Sequence, residues 1–310
     1  MWTPRFACPD CSIELSSAWC LRCGRSFERI DGIWRFLTAA RREALAPFVQ
    51  QYRFVRVRDG HRRQTPDFYR ALPSVDRADP DAAEWRIRRE TYGNLLRHVL
   101  AEAPQAVRVL DLGAGSGWLC HRLAELGHQP VAVDIVDDDA DGLGTTRHYA
   151  TEFPAVQADF GRLPFVSAQF DLVVFNASLH YAPDALAALA GACRMLAPGG
   201  ALGVMDSPMF DADADGRAMR AAKAGRFRSA YGLASVLEPG AGYVTFATLN
   251  EAARTLEMRP AFIPSRGPFG WRARRQWARV RLGRAPATFG LWVARRPPQR
   301  AEERPSGAPA

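Results

Sequence analysis

Four of the six cysteines lie in two C-x-x-C pairs near the start of the chain, Cys8 with Cys11 and Cys20 with Cys23. Each pair can supply two thiolates to one tetrahedral zinc ion. Gly24 follows the second pair, where a knuckle turn favours a residue that tolerates a positive φ. A disulfide framework is the weaker alternative, and a redox pair would need a βαβ context. Because four thiolates leave no open coordination position, the predicted zinc site is structural.

A second candidate for chemistry is the glycine-rich run VRVLDLGAGSG at residues 107–117. It predicts a buried strand ending near Asp111, a loop with alternating Gly113, Gly115 and Gly117, and a helix beginning at Trp118. Such a loop lets the backbone approach a ligand closely and directs the first amides of the helix towards it. A dinucleotide-binding loop would read G-x-G-x-x-G, and Trp118 occupies the place of its third glycine.

The run D-x-G-x-G-x-G resembles motif I of the class I S-adenosylmethionine-dependent methyltransferases, particularly the type 11 methyltransferase domains. The resemblance implies that Gly113, Ala114, Gly115 and Gly117 receive the methionine end of the cofactor, with Asp111 near its ammonium group. It also implies an α/β fold, with a Rossmann-like sheet of seven strands and helices on both faces.

Further segments between residues 107 and 206 match this family in order. The strand PVAVDI ends near Asp134, whose carboxylate can accept hydrogen bonds from ribose hydroxyls, and Ile135 follows it beside the adenine ring. The resemblance assigns Asp159 to the adenine amino group and gives the backbone amide of Phe160 to the same base. Asn176 ends the apolar strand FDLVVFN, at the crevice where open α/β sheets bind ligands. The sequences GRLPF and PGG are also typical of the family.

Three side chains beyond the fourth and fifth predicted strands are candidates for catalysis: His180, Tyr181 and Asp206. Attack on a sulfonium methyl can depend on positioning and desolvation alone, so a base is needed only where the nucleophile loses a proton. A neutral histidine suits that role near pH 7, although type 11 domains often carry a histidine here that supports the loop. Asp206 can bind substrate, act as a base or cap the following turn.

The pattern of elements divides the chain into four predicted parts. Residues 1–37 form a zinc-ribbon-like module, which resembles that of certain ribosomal RNA guanine methyltransferases, and residues 38–104 form a helical linker and cofactor cap. Residues 105–296 form the methyltransferase domain, with a substrate-lid insert at 207–245, and residues 297–310 form a disordered tail. The amphipathic helix predicted at 81–100 either covers the cofactor or simply packs on the sheet. The aspartate-rich segment 136–146 is predicted to be a solvated loop and not a metal site.

The composition of the 310 residues is that of a globular protein, with 47% hydrophobic residues and a net charge of +8. With no apolar run of transmembrane length and no signal-like start, the sequence predicts a cytoplasmic location. Residues 271–300 contain nine arginines and no acidic residue. One lysine against 40 arginines indicates a coding bias, so these basic segments are weak evidence for a nucleic-acid or membrane partner.

The sequence favours a methyltransferase that acts on a small-molecule or lipid-like acceptor. The alternative is an RNA methyltransferase that modifies rRNA or tRNA bases, supported by the cysteine module and by the basic segments 41–63 and 272–284, where Trp271 and Trp277 lie among or beside arginines. A third reading is a cofactor-binding regulatory protein without catalysis, which the complete set of motifs disfavours. The acceptor atom and the oligomeric state stay open.

Overall fold

A computed structural model describes residues 2–61, 65–101, 103 and 105–296, and the predicted tail at 297–310 lies outside them. The strands are β1 (Arg29–Ile30), β2 (Ile33–Arg35), β3 (Arg108–Leu112), β4 (Gln129–Asp134), β5 (Ala155–Gln157), β6 (Phe170–Asn176), β7 (Leu196–Met205), β8 (Met209–Phe210), β9 (Val244–Thr245), β10 (Arg259–Pro264) and β11 (Gly290–Arg295). The helices are α1 (Ala39–Arg58), α2 (Pro66–Ala71), α3 (Ala82–Leu95), α4 (Trp118–Glu125), α5 (Ala185–Met195), α6 (Asp213–Tyr231), α7 (Phe246–Thr255) and α8 (Phe269–Leu282). A π-helical turn, Leu96–Leu100, continues α3.

Side chains that precede several helices explain where those helices begin. Thr38, Thr65, Asp184 and Thr245 each accept a hydrogen bond from the backbone amide three residues later, at 2.9 to 3.3 Å. This contact satisfies an amide that has no partner inside the helix. The first of these caps starts α1, a helix that the sequence analysis did not separate from the linker.

The central sheet has the order β1-β2-β5-β4-β3-β6-β7-β11-β10. From β5 to β10 it contains the seven predicted strands, which are parallel except for β11, an antiparallel neighbour of both β7 and β10. The predicted α/β class is therefore confirmed. The sheet is two strands wider than predicted because β2 pairs in parallel with β5, and β1 pairs with β2. The segment after the second cysteine pair thus covers what would otherwise be an open sheet edge.

The continuous apolar strands are buried on both faces of the sheet. Along β6, Val173 and Phe175 join one hydrophobic cluster, whereas Leu172 and Val174 join another. Helices α5 and α7 and the cysteine segment contribute to the first cluster, and α2, α3 and α4 contribute to the second. This two-sided cover is what a parallel strand without polar alternation requires. Among the described residues, no helix combines the length and the apolar character needed to cross a bilayer.

Candidate cofactor and acceptor site

The glycine loop follows β3 and adopts left-handed backbone conformations that favour glycine. Gly113, Gly115 and Gly117 have φ values of +74°, +54° and +73°. A Cβ atom on Gly113 would lie 2.2 Å from the Cβ of Ser178, so no larger residue fits there. The amides of Gly113 and Ala114 donate to the carbonyl of Val133 on the neighbouring strand, at 2.8 and 3.0 Å. The loop is therefore held against β4, at the carboxyl edge of the sheet.

Asp134 at the end of β4 is fixed beside this loop. Its Oδ2 accepts the amide of Gly115 at 2.8 Å, and its Oδ1 accepts the amide of Val136 at 2.8 Å. Burial raises the pKa of this carboxyl group to about 6, although these amides act against the shift. Each oxygen keeps a second lone pair for a ligand hydroxyl. Asp134 and Ile135 both line the large cavity above the loop.

Asp111 and Gly117 do not line that cavity. Asp111 is fully buried behind the loop, where the Cys120 thiol lies 3.6 Å from its Oδ2. Burial raises the pKa of Asp111 to about 8. Gly117 directly precedes the first residue of α4. Both residues therefore shape the loop from outside the cavity, so a direct contact between Asp111 and a cofactor ammonium group stays a prediction.

Asn176, Asp159 and Phe160 do line the cavity. The Oδ1 atom of Asn176 is buried and has no hydrogen-bond partner among the described residues. Asp159 accepts the amide of Gly161 at 3.1 Å on one oxygen and forms an ion pair with Arg41 of α1 through the other. Arg41 was not predicted, and it pairs with the carboxylate that the sequence assigns to an adenine amino group.

Helix α1 lies over the site and is bound to the segment after β4. Arg56 forms a two-bond ion pair with Asp141, at 2.7 and 3.2 Å, and Arg53 contacts Asp138 at 2.8 Å. Only 6% of the Asp141 side chain is exposed, and Val136, Leu143 and Thr145 are buried as well. The prediction of a solvated loop at 136–146 is therefore wrong for most of the segment, although Asp139 is exposed. The sequence contained a signal for this pairing, because Arg53 and Arg56 are three residues apart and so are Asp138 and Asp141.

The cavity has a volume of about 770 Å³. Its floor includes the glycine loop and the ends of β4, β6 and β7, and residues from α1, α3 and α6 line it from above. The predicted helix at 81–100 thus contributes to the cavity, and so do residues of the predicted insert 207–245. Aromatic and aliphatic side chains of this cover include Phe48, Tyr52, Ile87 and Phe227.

His180 and Tyr181 line the same cavity beyond β6. The Nδ1 atom of His180 lies 3.3 Å from the Ser207 hydroxyl. Burial, together with the nearby cations Lys223 and Arg88, lowers the pKa of His180 to about 3, so the ring is neutral at pH 7. Burial raises the pKa of Tyr181, whose ring packs against Phe48 at a centroid distance of 5.6 Å. Neither side chain carries charge at neutral pH.

Asp206 follows β7 and enters the left-handed region, with a φ of +51°. Its Oδ1 accepts a hydrogen bond from the Thr91 hydroxyl of α3 at 2.6 Å. Its Oδ2 is buried and has no partner among the described residues. Burial raises the pKa of Asp206 to about 6, while the Thr91 hydrogen bond and the charge of Arg88 favour the ionised form. The structure thus brings Asp206 into one cavity with all of the predicted cofactor residues except Asp111 and Gly117.

The four N-terminal cysteines meet at one point. All four sulfur atoms lie within 4.8 Å of one another, and those of Cys8 and Cys23 are 3.7 Å apart. A Zn–S bond of about 2.3 Å implies about 3.8 Å between sulfurs of a tetrahedral site. Gly24 has the expected positive φ of +70°, and Ser12 adopts +57° at the equivalent position of the first pair. The donor set and its spacing therefore fit a structural zinc ion.

The first cysteine pair is also bound to the segment that carries Asp159 and Phe160. The Ala7 amide donates to the carbonyl of Pro164 at 2.9 Å, and the Val166 amide donates to the carbonyl of Arg5 at 3.1 Å. The cysteine module and residues 159–166 consequently form a continuous hydrogen-bonded structure, which the sequence analysis did not predict.

Comparison with known proteins agrees with the fold and the motifs. Residues 110–204 match a family model described as a methyltransferase domain. Malonyl-[acyl-carrier protein] O-methyltransferase of Enterobacter lignolyticus is 35% identical over 100 residues, which are 32% of this chain and 39% of that protein. The tRNA 5-carboxymethoxyuridine methyltransferase of Escherichia coli K12 is 32% identical over 118 residues, which are 36% of this chain and 44% of that protein.

A solved structure from Bordetella parapertussis, described as a possible exported protein, superposes with a TM-score of 0.50 at 15% identity. The match covers 83% of this chain and 88% of the other, and at this identity it shows the fold alone. The chain spans less than half the length of the two curated relatives above. Residues 110–204 are therefore similar to a methyltransferase domain, in agreement with the prediction from the glycine-loop motif.

Proposed function

We propose that the chain is an S-adenosylmethionine-dependent methyltransferase whose acceptor is a small or lipid-like molecule. The observation that carries the proposal is a single cavity that is lined both by the glycine loop and by Asp206 and His180. A transfer reaction needs one enclosed space that holds both reactants beside the groups that act on them.

The proposed cofactor-binding residues are those predicted from the sequence: Asp111, Gly113, Ala114, Gly115, Gly117, Asp134, Ile135, Asp159, Phe160 and Asn176. Three observations support the fit. The backbone at Gly113 leaves no room for a Cβ, Asp134 keeps lone pairs for two hydroxyls, and the buried Oδ1 of Asn176 has no partner in the described chain. When bound, S-adenosylmethionine supplies a methyl group on a positively charged sulfur.

The residues of the chain orient the acceptor, exclude water from the cavity and accept a proton. Asp206 has a pKa of about 6, so its carboxylate is mostly ionised at pH 7 and can accept a proton at Oδ2. Neutral His180 can accept or donate one hydrogen bond, and the protonated phenol of Tyr181 can donate one. We assign the base to Asp206, and we assign orientation of the acceptor to His180 and Tyr181.

A small acceptor suits the way in which the cavity is covered. The insert is joined to α1 above the site, since Gln51 donates to the carbonyl of Ser235 at 2.8 Å and accepts the amide of Leu237 at 2.7 Å. Tyr231 of α6 also donates to Asp59. These bonds restrict entry of a polynucleotide, whereas a compact molecule fits beneath them. The aromatic lining favours a planar or amphipathic molecule.

RNA is the second candidate, and α8 is the observation that favours it. Trp277 on this helix is 64% exposed, and the guanidinium of Arg281 lies 5.5 Å from the centre of its ring. An exposed indole among arginines can stack on an unpaired base. By their names, one of the relatives above methylates a tRNA uridine and another malonyl-[acyl-carrier protein], so RNA and non-RNA acceptors both occur among similar proteins. A non-catalytic role is disfavoured, because it would leave the destabilising burial of Asp206 without a purpose.

We further propose that Cys8, Cys11, Cys20 and Cys23 bind one structural zinc ion, and that the chain divides at residues 37 and 104 as the sequence predicts. Four thiolates complete the coordination shell, so the metal would stabilise the module and take no part in the transfer. Metal analysis of the purified protein tests this directly. A zinc content near zero, or one unchanged in a Cys8→Ser and Cys23→Ser double variant, would contradict it.

The experiment that tests the main proposal is calorimetric titration with S-adenosylmethionine. We expect saturable binding by the full chain and at least about tenfold weaker binding by Asp134→Ala, which loses hydrogen bonds to a charged group. Asp139→Ala is the matched control, because that exposed side chain is absent from the cavity lining. Absence of binding, or equal affinity in Asp134→Ala, would refute the proposal. Methyl label from the cofactor, offered to separate RNA and metabolite fractions, then identifies the acceptor class.

A further inference from the structure

Arg88 and Thr91 lie on one face of helix α3. Arg88 lines the part of the cavity that contains Asp206 (the acceptor end), whereas Thr91 is fully buried and contacts Asp206 through its hydroxyl. Residues three positions apart on a helix are neighbours, with about 5–6 Å between their Cβ atoms. The Thr91 hydroxyl donates a hydrogen bond to Asp206, the proposed general base, so this face of α3 is held against Asp206. Arg88 lies one turn earlier and lines the cavity. Thr91, which is bonded to the Asp206 carboxylate, and Arg88, which carries a guanidinium group, are therefore neighbours on this helix.

The guanidinium of Arg88 is held in place but is only partly used. Its Nη2 donates to Glu84 at 2.6 Å, and its central carbon lies 4.9 Å from the centre of the Trp85 ring. Within the described part of the chain, no acceptor receives a hydrogen bond from its Nε or Nη1. A guanidinium has five N–H donors, so most of them are available to a ligand in the cavity.

Asp206 offers the complementary group. It is 6% exposed, and its Oδ2 has no partner among the described residues. Ser265 shares the Thr91 hydroxyl at 2.7 Å and thereby keeps that hydroxyl beside Asp206. The acceptor end therefore combines unused N–H donors with an unused carboxylate oxygen. A ligand that satisfies both must carry a hydrogen-bond-accepting oxygen, best an anionic one, and an acidic N–H or O–H group.

We propose that the acceptor carries a carboxylate that binds Arg88, and that its nucleophilic O–H or N–H group faces Oδ2 of Asp206. This inference rests on the proposed function. In the transfer, the acceptor lone pair forms the bond to the methyl carbon, the electrons of the carbon–sulfur bond remain on sulfur, and the acceptor proton passes to Asp206. Arg88 is the specificity-determining residue, because its forked donors match the two oxygens of a carboxylate.

The test uses two probes of nearly the same shape, benzoate and neutral benzamide, with the full chain saturated by S-adenosylhomocysteine. Ligand-observed NMR titrations measure each affinity. We expect the wild-type protein to bind benzoate at least about tenfold more tightly than benzamide, as a charge-assisted hydrogen bond to arginine provides. Arg88→Gln should abolish that preference, and Arg88→Lys should retain part of it. Arg86→Gln is the matched control, since Arg86 is exposed on α3 and does not line this cavity.

Two results would overturn the inference. One is an equal affinity of the wild-type protein for benzoate and benzamide, including the case in which neither probe binds. The other is an unchanged preference for benzoate in Arg88→Gln. Both are distinct from a failure of the proposed function, which would appear in the same samples as a lack of S-adenosylhomocysteine binding.

Discussion

Asp10, which lies between the first two cysteines, forms an ion pair with Arg162, a residue of the segment that carries Asp159 and Phe160. The other oxygen of Asp10 contacts Arg25, just beyond the second cysteine pair, at 2.8 Å. One carboxylate therefore joins both cysteine knuckles to a wall of the cofactor cavity. The shape of that wall should depend on the integrity of the knuckles.

Removal of zinc is accordingly expected to weaken cofactor binding. Without the metal ion the two cysteine pairs are no longer joined to each other, and Asp10 can no longer hold Arg162 in position. We expect the dissociation constant of S-adenosylhomocysteine, measured by calorimetry, to rise several-fold after chelation and to recover when zinc is restored. Arg162→Ala should keep its zinc and show part of the same loss. Unchanged affinity in protein shown to be free of metal would contradict the prediction.

Gly113→Ala is expected to destabilise the fold far more than Gly199→Ala. Both glycines have a similar positive φ, +74° and +77°, which costs about 1–2 kcal/mol for a residue with a Cβ. A Cβ at Gly113 would in addition lie 2.2 Å from Ser178, whereas nothing lies within 4 Å of one at Gly199. Urea denaturation should give a loss of about 1–2 kcal/mol for the Gly199 variant and clearly more for the Gly113 variant. Equal losses would mean that the loop can move away from Ser178.

The predictable part of the site is the part that depends on local pattern. Asp134 and Asn176 come at the ends of apolar strands, and parallel strands place such ends along one edge of the sheet. The glycines of the loop follow from the same turn. These residues could be predicted because the apolar strand before each of them and the spacing between them can be recognised in the neighbouring sequence.

The residues that were missed pair across long stretches of chain. Arg41 meets Asp159 across 118 residues, and Thr91 meets Asp206 across 115. Such contacts depend on where α1 and α3 pack, and periodicity predicts the existence of a helix but not its neighbours. The pairing of β2 with β5 belongs to the same class, since a three-residue strand carries too little pattern to identify its partner.

The stability of the protein is expected to depend on the ionisation of Asp206. Its pKa is about 6 in the folded chain, against an ordinary value of 3.8. Between these values the native state binds more protons than the unfolded state, so the free energy of unfolding falls as the pH rises. At about 1.4 kcal/mol per pKa unit, the cost above pH 6 is about 3 kcal/mol.

Asp206→Asn removes this cost and should therefore gain up to about 3 kcal/mol relative to the wild-type protein between about pH 4 and pH 7.5. Urea denaturation across that range measures the difference. Thr91→Val takes away the hydroxyl that stabilises the carboxylate, so the pKa of Asp206 should rise further and the fall in stability should continue to a higher pH than in the wild-type protein. A difference between Asp206→Asn and wild type that stays constant with pH would show that Asp206 is not held in the proposed state.

The ion pair between Arg56 and Asp141 is expected to hold α1 over the cofactor, and Arg56→Met should reveal it. This change leaves a carboxylate that is only 6% exposed without its cation. A fully buried partner would cost about 3–5 kcal/mol, and because Arg56 is 31% exposed we expect about 1–3 kcal/mol. Arg147→Met is the matched control, since its pair with Asp139 has side chains that are 57% and 65% exposed and should contribute less than about 1 kcal/mol. Helix α1 also carries Arg41, which pairs with Asp159 in the cavity, so loosening α1 should open the cofactor site. The Arg56 variant should therefore release S-adenosylhomocysteine faster in stopped-flow measurements, whereas the Arg147 variant should not. Equal release rates in the two variants would mean that α1 stays closed without this ion pair.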